Sequence, residues 1–345
     1  MKLKFSAIAM AVLSTLTGAA FAQSSVTVYG KIDLALVVDG GNPAGKSVRV
    51  SSGASAGSRL GFKGIEDLGD GYKAGFVVET GFCADSAAGA PNFCTGSNQF
   101  MGRQAHGDLS GSFGNLSAGR QYSLGYLNVV ALDPFQTGYA GAASNGDGAG
   151  NLVVDTSGSR LNNSVTYVTP KLGGFYASGE FALGETTGNW RAGRETGAEV
   201  NYVAGPVYTG VTYYRLDNAN GVGTSRQVIT GGGTYDFGVV KLHALVEKTT
   251  GPSTLDILDI MGGVTVPVAG GNLLASYVHH NDRTASDKDA SQLGVGYIYP
   301  LSKRTSVYTA FGKINNLHGA TFTVGNATAA GTGNKAFNLG VVHNF

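Results

Sequence analysis

The sequence predicts an all-β fold, a 16-stranded antiparallel transmembrane β-barrel that follows a cleaved signal peptide. The carboxyl-terminal ten residues alternate strictly, with one face formed by Phe337, Leu339, Val341, His343 and Phe345. Successive side chains of a strand point to opposite sides, so this segment has one apolar and one small or polar face. A segment of about ten residues that alternates in this way is typical of barrel strands that cross a membrane.

The amino terminus supports the same fold class. Lys2 and Lys4 precede a short apolar run, Phe5–Leu16, and Ala20–Ala22 forms a small-x-small cleavage site. These are the three parts of a secretory signal peptide. A membrane-anchor helix is disfavoured because the run is shorter than the roughly 20 residues that span a bilayer. We therefore expect a leader at 1–22 and a single barrel domain at 23–345.

Composition narrows the function classes. Removing the leader, with its two lysines and no acids, changes 24 basic and 23 acidic residues to 22 and 23, a net charge of −1. A chain without a basic excess does not suit a nucleic-acid partner. Glycine (55 residues), Tyr (16) and Phe (16) are abundant, which suits many strands and tight turns. No other apolar stretch reaches spanning length, so a spanning chain must close as a barrel.

About sixteen alternating segments follow the leader. The clearest apolar faces comprise Val26, Val28, Ile32, Leu34 and Leu36; Tyr72, Ala74, Phe76, Val78 and Phe82; Phe175, Ala177, Phe181 and Leu183; Thr196, Ala198, Val200 and Tyr202; and Leu293, Val295, Tyr297 and Tyr299. Charges fall on the opposite faces. Alternation alone also fits a soluble sandwich, and the two termini favour the barrel.

Short and long connections alternate along the chain. The short ones are rich in Gly, Pro, Asp or Ser, as at Glu66–Gly71, Ser110–Gly114 and Pro300–Arg304. The long ones are predicted at Asp39–Gly57, Asn128–Ser159, Asp217–Ser225, Asn281–Asp289 and Asn315–Gly333. Short turns on one side and long loops on the other are typical of outer-membrane barrels.

The two cysteines, Cys83 and Cys94, flank the polar insert Ala84–Phe93. In an oxidising envelope compartment we expect a disulfide that closes an exposed loop. A metal site is less favoured, because neither cysteine has a His or a second Cys at ligand spacing.

Several motifs resemble the general porins of Gram-negative betaproteobacteria, including the neisserial type. They are SRLGFKGIEDLGDGYKA at 58–74, GRQA at 102–105, GRQY at 119–122, RLNNSVTYVTP at 160–170, LSKRT at 301–305 and VHNF at 342–345. The similarity covers essentially the whole mature chain, with the motifs in the correct order.

The resemblance implies a homotrimer in the outer membrane, in contact with lipid and lipopolysaccharide. It also implies a water-filled pore narrowed by the third long loop, near 128–159, and passive diffusion of small hydrophilic solutes and ions without a cofactor. The wall motifs carry Arg59, Lys63, Arg103, Arg120 and Arg160, and Asp133 falls on the constriction loop. One departure, His106–Leu109, replaces an expected aromatic and small apolar stretch; His106 and Asp108 are expected at the periplasmic rim or the subunit interface.

Inward-facing charges would set a field in the lumen rather than a core. The basic candidates are Lys31, Arg59, Lys63, Lys73, Arg103, Arg120 and Arg160, and the acidic ones are Asp33, Glu79, Asp133, Glu180, Glu195 and Glu199. Arg120 shares the parity of Leu116 and needs a bulge to face water. The five basic residues of the motifs favour anion preference, although pairing between neighbouring strands would also explain several of these charges.

Rival motifs are weak. Gly40–Ser47 matches a phosphate-binding loop, but the residues after it alternate like a strand where that loop needs a helix. His279 and His280 are adjacent strand residues that point apart, which disfavours a shared metal ion. The alternatives to a diffusion channel are an outer-membrane barrel enzyme of the lipase type and a secreted β-rich adhesin.

Overall fold

The computed structural model describes residues 25–42, 45–86, 99–144, 152–153, 158–324 and 333–345. The predicted leader at 1–22 lies outside the described residues. None of the helices in the described ranges is long and apolar enough to cross a membrane.

Seventeen strand segments are present in the described chain. Their bounds are β1 Ser25–Asn42, β2 Gly45–Ser52, β3 Arg59–Gly69, β4 Tyr72–Gly81, β5 Gln104–Gly111, β6 Gly114–Tyr122, β7 Arg160–Val168, β8 Phe175–Ala182, β9 Glu195–Ala204, β10 Val207–Leu216, β11 Arg226–Asp236, β12 Lys241–Thr250, β13 Asp256–Val268, β14 Gly271–Asp282, β15 Ala290–Pro300, β16 Thr305–Asn316 and β17 Lys335–Asn344. Helix α1 is Leu124–Leu132, and a short 3₁₀ helix spans Pro252–Thr254.

The sheet closes on itself. Strand β17 pairs antiparallel with β1, from Lys31 opposite Asn344 to Gly40 opposite Lys335. Strands β2 and β3 both pair with β1 and together form one barrel strand, interrupted at 53–58. The seventeen segments therefore make sixteen barrel strands, which confirms the predicted fold class.

The last residue completes the closure. The Phe345 amide donates to the Gly30 carbonyl, and the Gly30 amide donates to the Phe345 carbonyl, at 3.0 and 2.9 Å. The Phe345 ring covers Gly30 so closely that a Cβ there would lie 2.3 Å from the ring. Glycine is thus required where the two ends of the sheet meet.

The two faces of the wall differ as the alternation predicts. Apolar side chains such as Val26 and Val28 of β1 are exposed on the outside, whereas Asp33 and Val37, which have the opposite parity, are buried inside. Outward groups therefore meet hydrocarbon, and inward groups meet water or the third loop.

Two predicted connections were wrong in extent. Asp39–Gly57 is not a long loop, because β1 continues to Asn42 and β2 starts at Gly45. The same strand excludes a helix at the phosphate-loop-like motif. The third loop spans 123–159 and begins with α1. The N-cap of this helix, Ser123, accepts a hydrogen bond from the Tyr126 amide. The sequence did not predict the helix, because its apolar residues would suit a strand equally well.

Candidate functional site

Helix α1 lies inside the barrel against the wall formed by β9–β12. The Asn128 side chain donates from Nδ2 to the Thr230 carbonyl at 3.3 Å, and His243 Nδ1 donates to the Leu132 carbonyl at 2.9 Å. Glu180 accepts from the Leu124 amide at 3.0 Å. A carboxylate at this position satisfies a free amide and complements the helix dipole. The third loop is thereby fixed inside the lumen.

The described loop residues that follow the helix lie against β15 and β17. The Ala140 amide donates to Asn338 at 2.6 Å, and Gln292 donates to the Ala142 carbonyl at 2.7 Å. Leu132 and Phe135 are fully buried in an apolar cluster between loop and wall. This packing leaves the opposite half of the wall, β1 and β3–β7, to carry the groups described next.

Glycines on the inner wall permit this close packing. A Cβ at Gly312 would lie 1.8 Å from the Ala140 carbonyl oxygen, one at Gly294 would lie 2.6 Å from that of Gly141, and one at Gly263 would lie 2.5 Å from Pro134. The sequence analysis associated glycine with turns and did not predict that wall glycines make room for the third loop. The one indication in the sequence is that these glycines occupy inward-facing positions within strands.

The interruption at 53–58, here called the inward bend, connects the loop to the first strand. Asp33 accepts from the Ser55 and Ala56 amides at 2.6 and 2.8 Å and from the Tyr308 hydroxyl at 2.6 Å. The Tyr139 amide at the loop tip donates to the Ala54 carbonyl at 2.6 Å. Asp33 therefore faces inward as predicted but is fully buried, so it holds the bend rather than meeting water.

A cluster of basic side chains surrounds Glu79 on the inner face of β4. Arg103 donates from Nε to Glu79 Oε1 at 2.7 Å, and an Arg59 nitrogen lies 3.9 Å from the same oxygen. The Tyr29 hydroxyl donates to Oε2 at 3.0 Å. One carboxylate thus lies between two guanidinium groups.

Tyr122 extends this cluster to a third arginine. Its hydroxyl oxygen accepts from Arg103 at 2.7 Å and from Arg160 at 3.0 Å, and the Arg160 guanidinium lies 4.6 Å from the ring centre. The Tyr122 ring stacks on Tyr126 of α1 at 5.3 Å. The three arginines therefore lie beside the third loop, and Lys31 on the inner face of β1 adds a fourth positive charge.

Other predicted residues lie nearer the short turns. Lys63 is exposed on the inner face, 5.5 Å above the Tyr29 ring, and shares a pocket with Lys73 and Asp108. His106 Nδ1 lies 3.2 Å from Asp108 Oδ1. Both residues have the parity of Gln104, which pairs with Glu79, so they face inward; His106 lies opposite Val77 in the middle of β4, and Asp108 lies nearer the short turn.

Arg120 does not join the basic cluster. The predicted bulge exists, but its extra residue lies in β7, where Asn162 and Asn163 oppose the single residue Arg120. Arg120 consequently keeps the outward parity of Leu116, and it donates to Asn162 Oδ1 at 2.6 Å. Its expected pore-lining position was wrong.

The expected role of Asp133 as an acid that faces the lumen was wrong. It lies on the third loop, yet it is buried and accepts from the Phe135, Thr137 and Ala143 amides at 3.0, 3.0 and 3.2 Å. Burial raises the pKa of Asp133 to about 6. Because its partners are amides of its own loop, Asp133 shapes the loop and does not present a charge to the lumen.

The remaining acids also have local partners. Glu180 accepts from Thr166 as well as from the helix, and Glu199 accepts from Thr212 at 3.3 Å. Glu195 has the same inward parity as Glu199.

Cys83 follows β4 and is disulfide-bonded. Cys94 lies outside the described residues, so the pairing of the two cysteines stays a prediction. In the ranges that the structure describes, no cluster of potential metal ligands occurs.

A closed barrel with an apolar exterior and a polar interior, narrowed by an inserted loop, defines a membrane channel. The chain belongs to the Gram-negative porin family, whose profile matches residues 7–319. It is therefore an outer-membrane porin that forms a water-filled channel for passive diffusion of small hydrophilic solutes and ions.

Related proteins support this assignment. The chain is 34% identical to outer membrane porin protein 32 of Delftia acidovorans, over 99% of this chain and 100% of the relative. It is 29% identical to an outer membrane porin protein of Bordetella pertussis, over 89% of this chain and 93% of the relative. The solved structure titled anion-selective porin from Comamonas acidovorans superposes with a TM-score of 0.82 at 29% identity, covering 94% of this chain and 100% of that one.

Proposed function

We propose that this porin prefers anions. The observation that carries the proposal is a charge imbalance beside the third loop. Arg59 and Arg103 flank one carboxylate, Glu79, Arg160 joins them through the Tyr122 hydroxyl, and Lys31 lies on the inner face of β1. The other acids nearby are buried away from the water of the lumen, Asp33 against the amides of the inward bend and Asp133 against those of its own loop. A fixed excess of positive charge in a narrow water-filled passage attracts anions and repels cations.

The similar Comamonas acidovorans protein is described as an anion-selective porin, which supports the same preference. Reversal potential across a salt gradient in a planar bilayer tests it, because the summed lumen field sets the relative permeability of the two ions. We expect a potential displaced toward the equilibrium potential of the anion. A reversal potential of zero, or one displaced toward the equilibrium potential of the cation, would contradict the proposal.

We further propose that three copies assemble and that the assembly contacts outer-membrane lipid and lipopolysaccharide. The family relationship supports this. Conductance steps grouped in threes, together with a heat-resistant trimer band on a gel, are the expected results. Isolated single steps from a monomeric species would oppose it.

We also propose that the chain catalyses no reaction, which its porin relatives support. A lipase-type enzyme would cleave a lipid ester analogue, whereas this protein is expected to leave such a substrate intact.

A further inference from the structure

A hollow lies on the inner face of the wall near the short turns, centred on Gly75 of β4. Gly75 has the inward parity of Glu79, and it lies opposite Ile65 of β3 and Asp108 of β5 in the strand register. Because glycine has no side chain, the wall is open above this position, and the hollow has a volume of about 520 Å³. Binding sites for small molecules have roughly 300–1,000 Å³, so the hollow can hold one small solute.

Two lysines flank the hollow. Lys73 precedes Gly75 by two residues on the same face of β4, and Lys63 of β3 lines the hollow as well. Both lysines are exposed, and in the described ranges neither forms an ion pair. Asp67 lies opposite Lys73 in the register, but its carboxylate accepts from the Gly69 amide of its own turn at 2.9 Å. The two ammonium groups can therefore bind a carboxylate of a solute.

Asp108 supplies a negative charge at the same place. Its Oδ1 lies 3.2 Å from His106 Nδ1, whereas its Oδ2 would lie 3.6 Å from a Cβ on Gly75 and so faces the hollow. Asp108 and Lys73 are diagonal neighbours on adjacent strands, a relationship that separates residues by about 7–8 Å. One small molecule can therefore contact both charges.

An apolar side chain is exposed to the lumen between these charges. Ile65 is 48% exposed although it has inward parity, and Val77 lines the hollow beside it. Its neighbours in the same register row, Ser25 and Gly75, present no apolar side chain that could cover it. An isoleucine that faces water is unfavourable, and an apolar group of a solute that covers it would be stabilised.

We propose that this hollow binds a free α-amino acid with an apolar side chain. Its carboxylate contacts Lys63 and Lys73, its ammonium group donates to Asp108 Oδ2, and its side chain covers Ile65 and Val77. Each of the three kinds of group in the hollow then has one complementary group in the solute, whereas a simple anion would leave the carboxylate and the apolar surface without a partner. Such a solute has no net charge, so its binding goes beyond the ion preference and does not depend on it.

Titration of the detergent-solubilised protein with leucine, followed by ligand-observed NMR, tests the site. Removing a charge about 4 Å from an opposite charge in water costs about fivefold in affinity, so Lys73→Gln and Asp108→Asn should each weaken leucine binding about fivefold. Ile65→Thr should weaken it about fourfold, the effect of one buried methylene. Lys303→Gln with Asp70→Asn, which removes one charge of each sign from exposed short turns, should change it less than twofold.

Analogues that each lack one group of leucine identify the ligand on the wild-type protein, independently of how the variants fold. Glycine lacks the apolar side chain, isocaproate lacks the ammonium group and leucinamide lacks the carboxylate. The wild type should bind each about fourfold or more weakly than leucine. Asp108→Asn should bind leucine and isocaproate about equally, and Ile65→Thr should narrow the difference between leucine and glycine.

Three results would overturn the proposal. One is the absence of saturable leucine binding to the wild type. The second is unchanged leucine affinity in Lys73→Gln, Asp108→Asn and Ile65→Thr. The third is isocaproate binding to the wild type as tightly as leucine, which would make the hollow a site for simple organic anions.

Discussion

The Arg103 guanidinium donates from Nε to Glu79 Oε1 at 2.7 Å, with both side chains largely buried. Arg103 precedes β5, whereas Glu79 lies in β4, so the contact fixes a loop residue against the wall. Glu79 neutralises only one of the positive charges around it, and the proposed anion preference rests on the remainder.

Neutralising Arg103 and Arg160 to Gln should move the reversal potential toward the cation. An ion about 4 Å from one charge in water gains or loses about 1 kcal/mol, about fivefold in local concentration, so the anion-to-cation permeability ratio should fall several-fold. Lys303→Gln with Arg304→Gln, in a short turn, removes the same charge and should have little effect. An unchanged potential would exclude the two arginines from the selectivity filter.

Asp133 should make stability depend on pH. Its folded pKa of about 6 lies above its ordinary value of 3.8, so the folded protein binds the proton more tightly. Stability should therefore fall as the pH rises from about 4 to 6, by up to about 3 kcal/mol, and then level off. Melting temperatures in detergent across this range should show the slope in the wild type and lack it in Asp133→Asn. Equal slopes would disprove the assignment.

Gly312→Val should displace the third loop. A Cβ there would overlap the Ala140 carbonyl, whereas one at Gly262 would have no atom within 4 Å. Single-channel conductance of Gly312→Val should therefore differ clearly from the wild type, and that of Gly262→Val should not. Identical conductance of all three proteins would show that the loop tip does not control the opening.

Reduction of the predicted Cys83–Cys94 link should leave conductance nearly intact. The expected bond closes a loop after β4 and does not involve the wall. Conductance measured before and after a reductant, with Cys83→Ser as an unreactive control, checks this. A large change would mean that the loop reaches the pore.

The inward parity of Arg59, Glu79 and Glu180 was predictable, because period-two alternation assigns a face to each residue within a regular strand. Parity failed for Arg120 because the extra residue of a bulge can lie in either strand, and only pairing with β7 shows which. It could not apply to Asp133, since a loop residue has no strand parity.

The sequence alone therefore determined the solvent on each side of the wall, since alternation, the leader and the terminal strand are local patterns. Tertiary structure decided which charges meet water. Asp33, Asp133 and Glu180 accept hydrogen bonds from the inward bend or the third loop instead of facing open water. Contacts between segments that are distant in sequence depend on packing, which no local sequence pattern encodes.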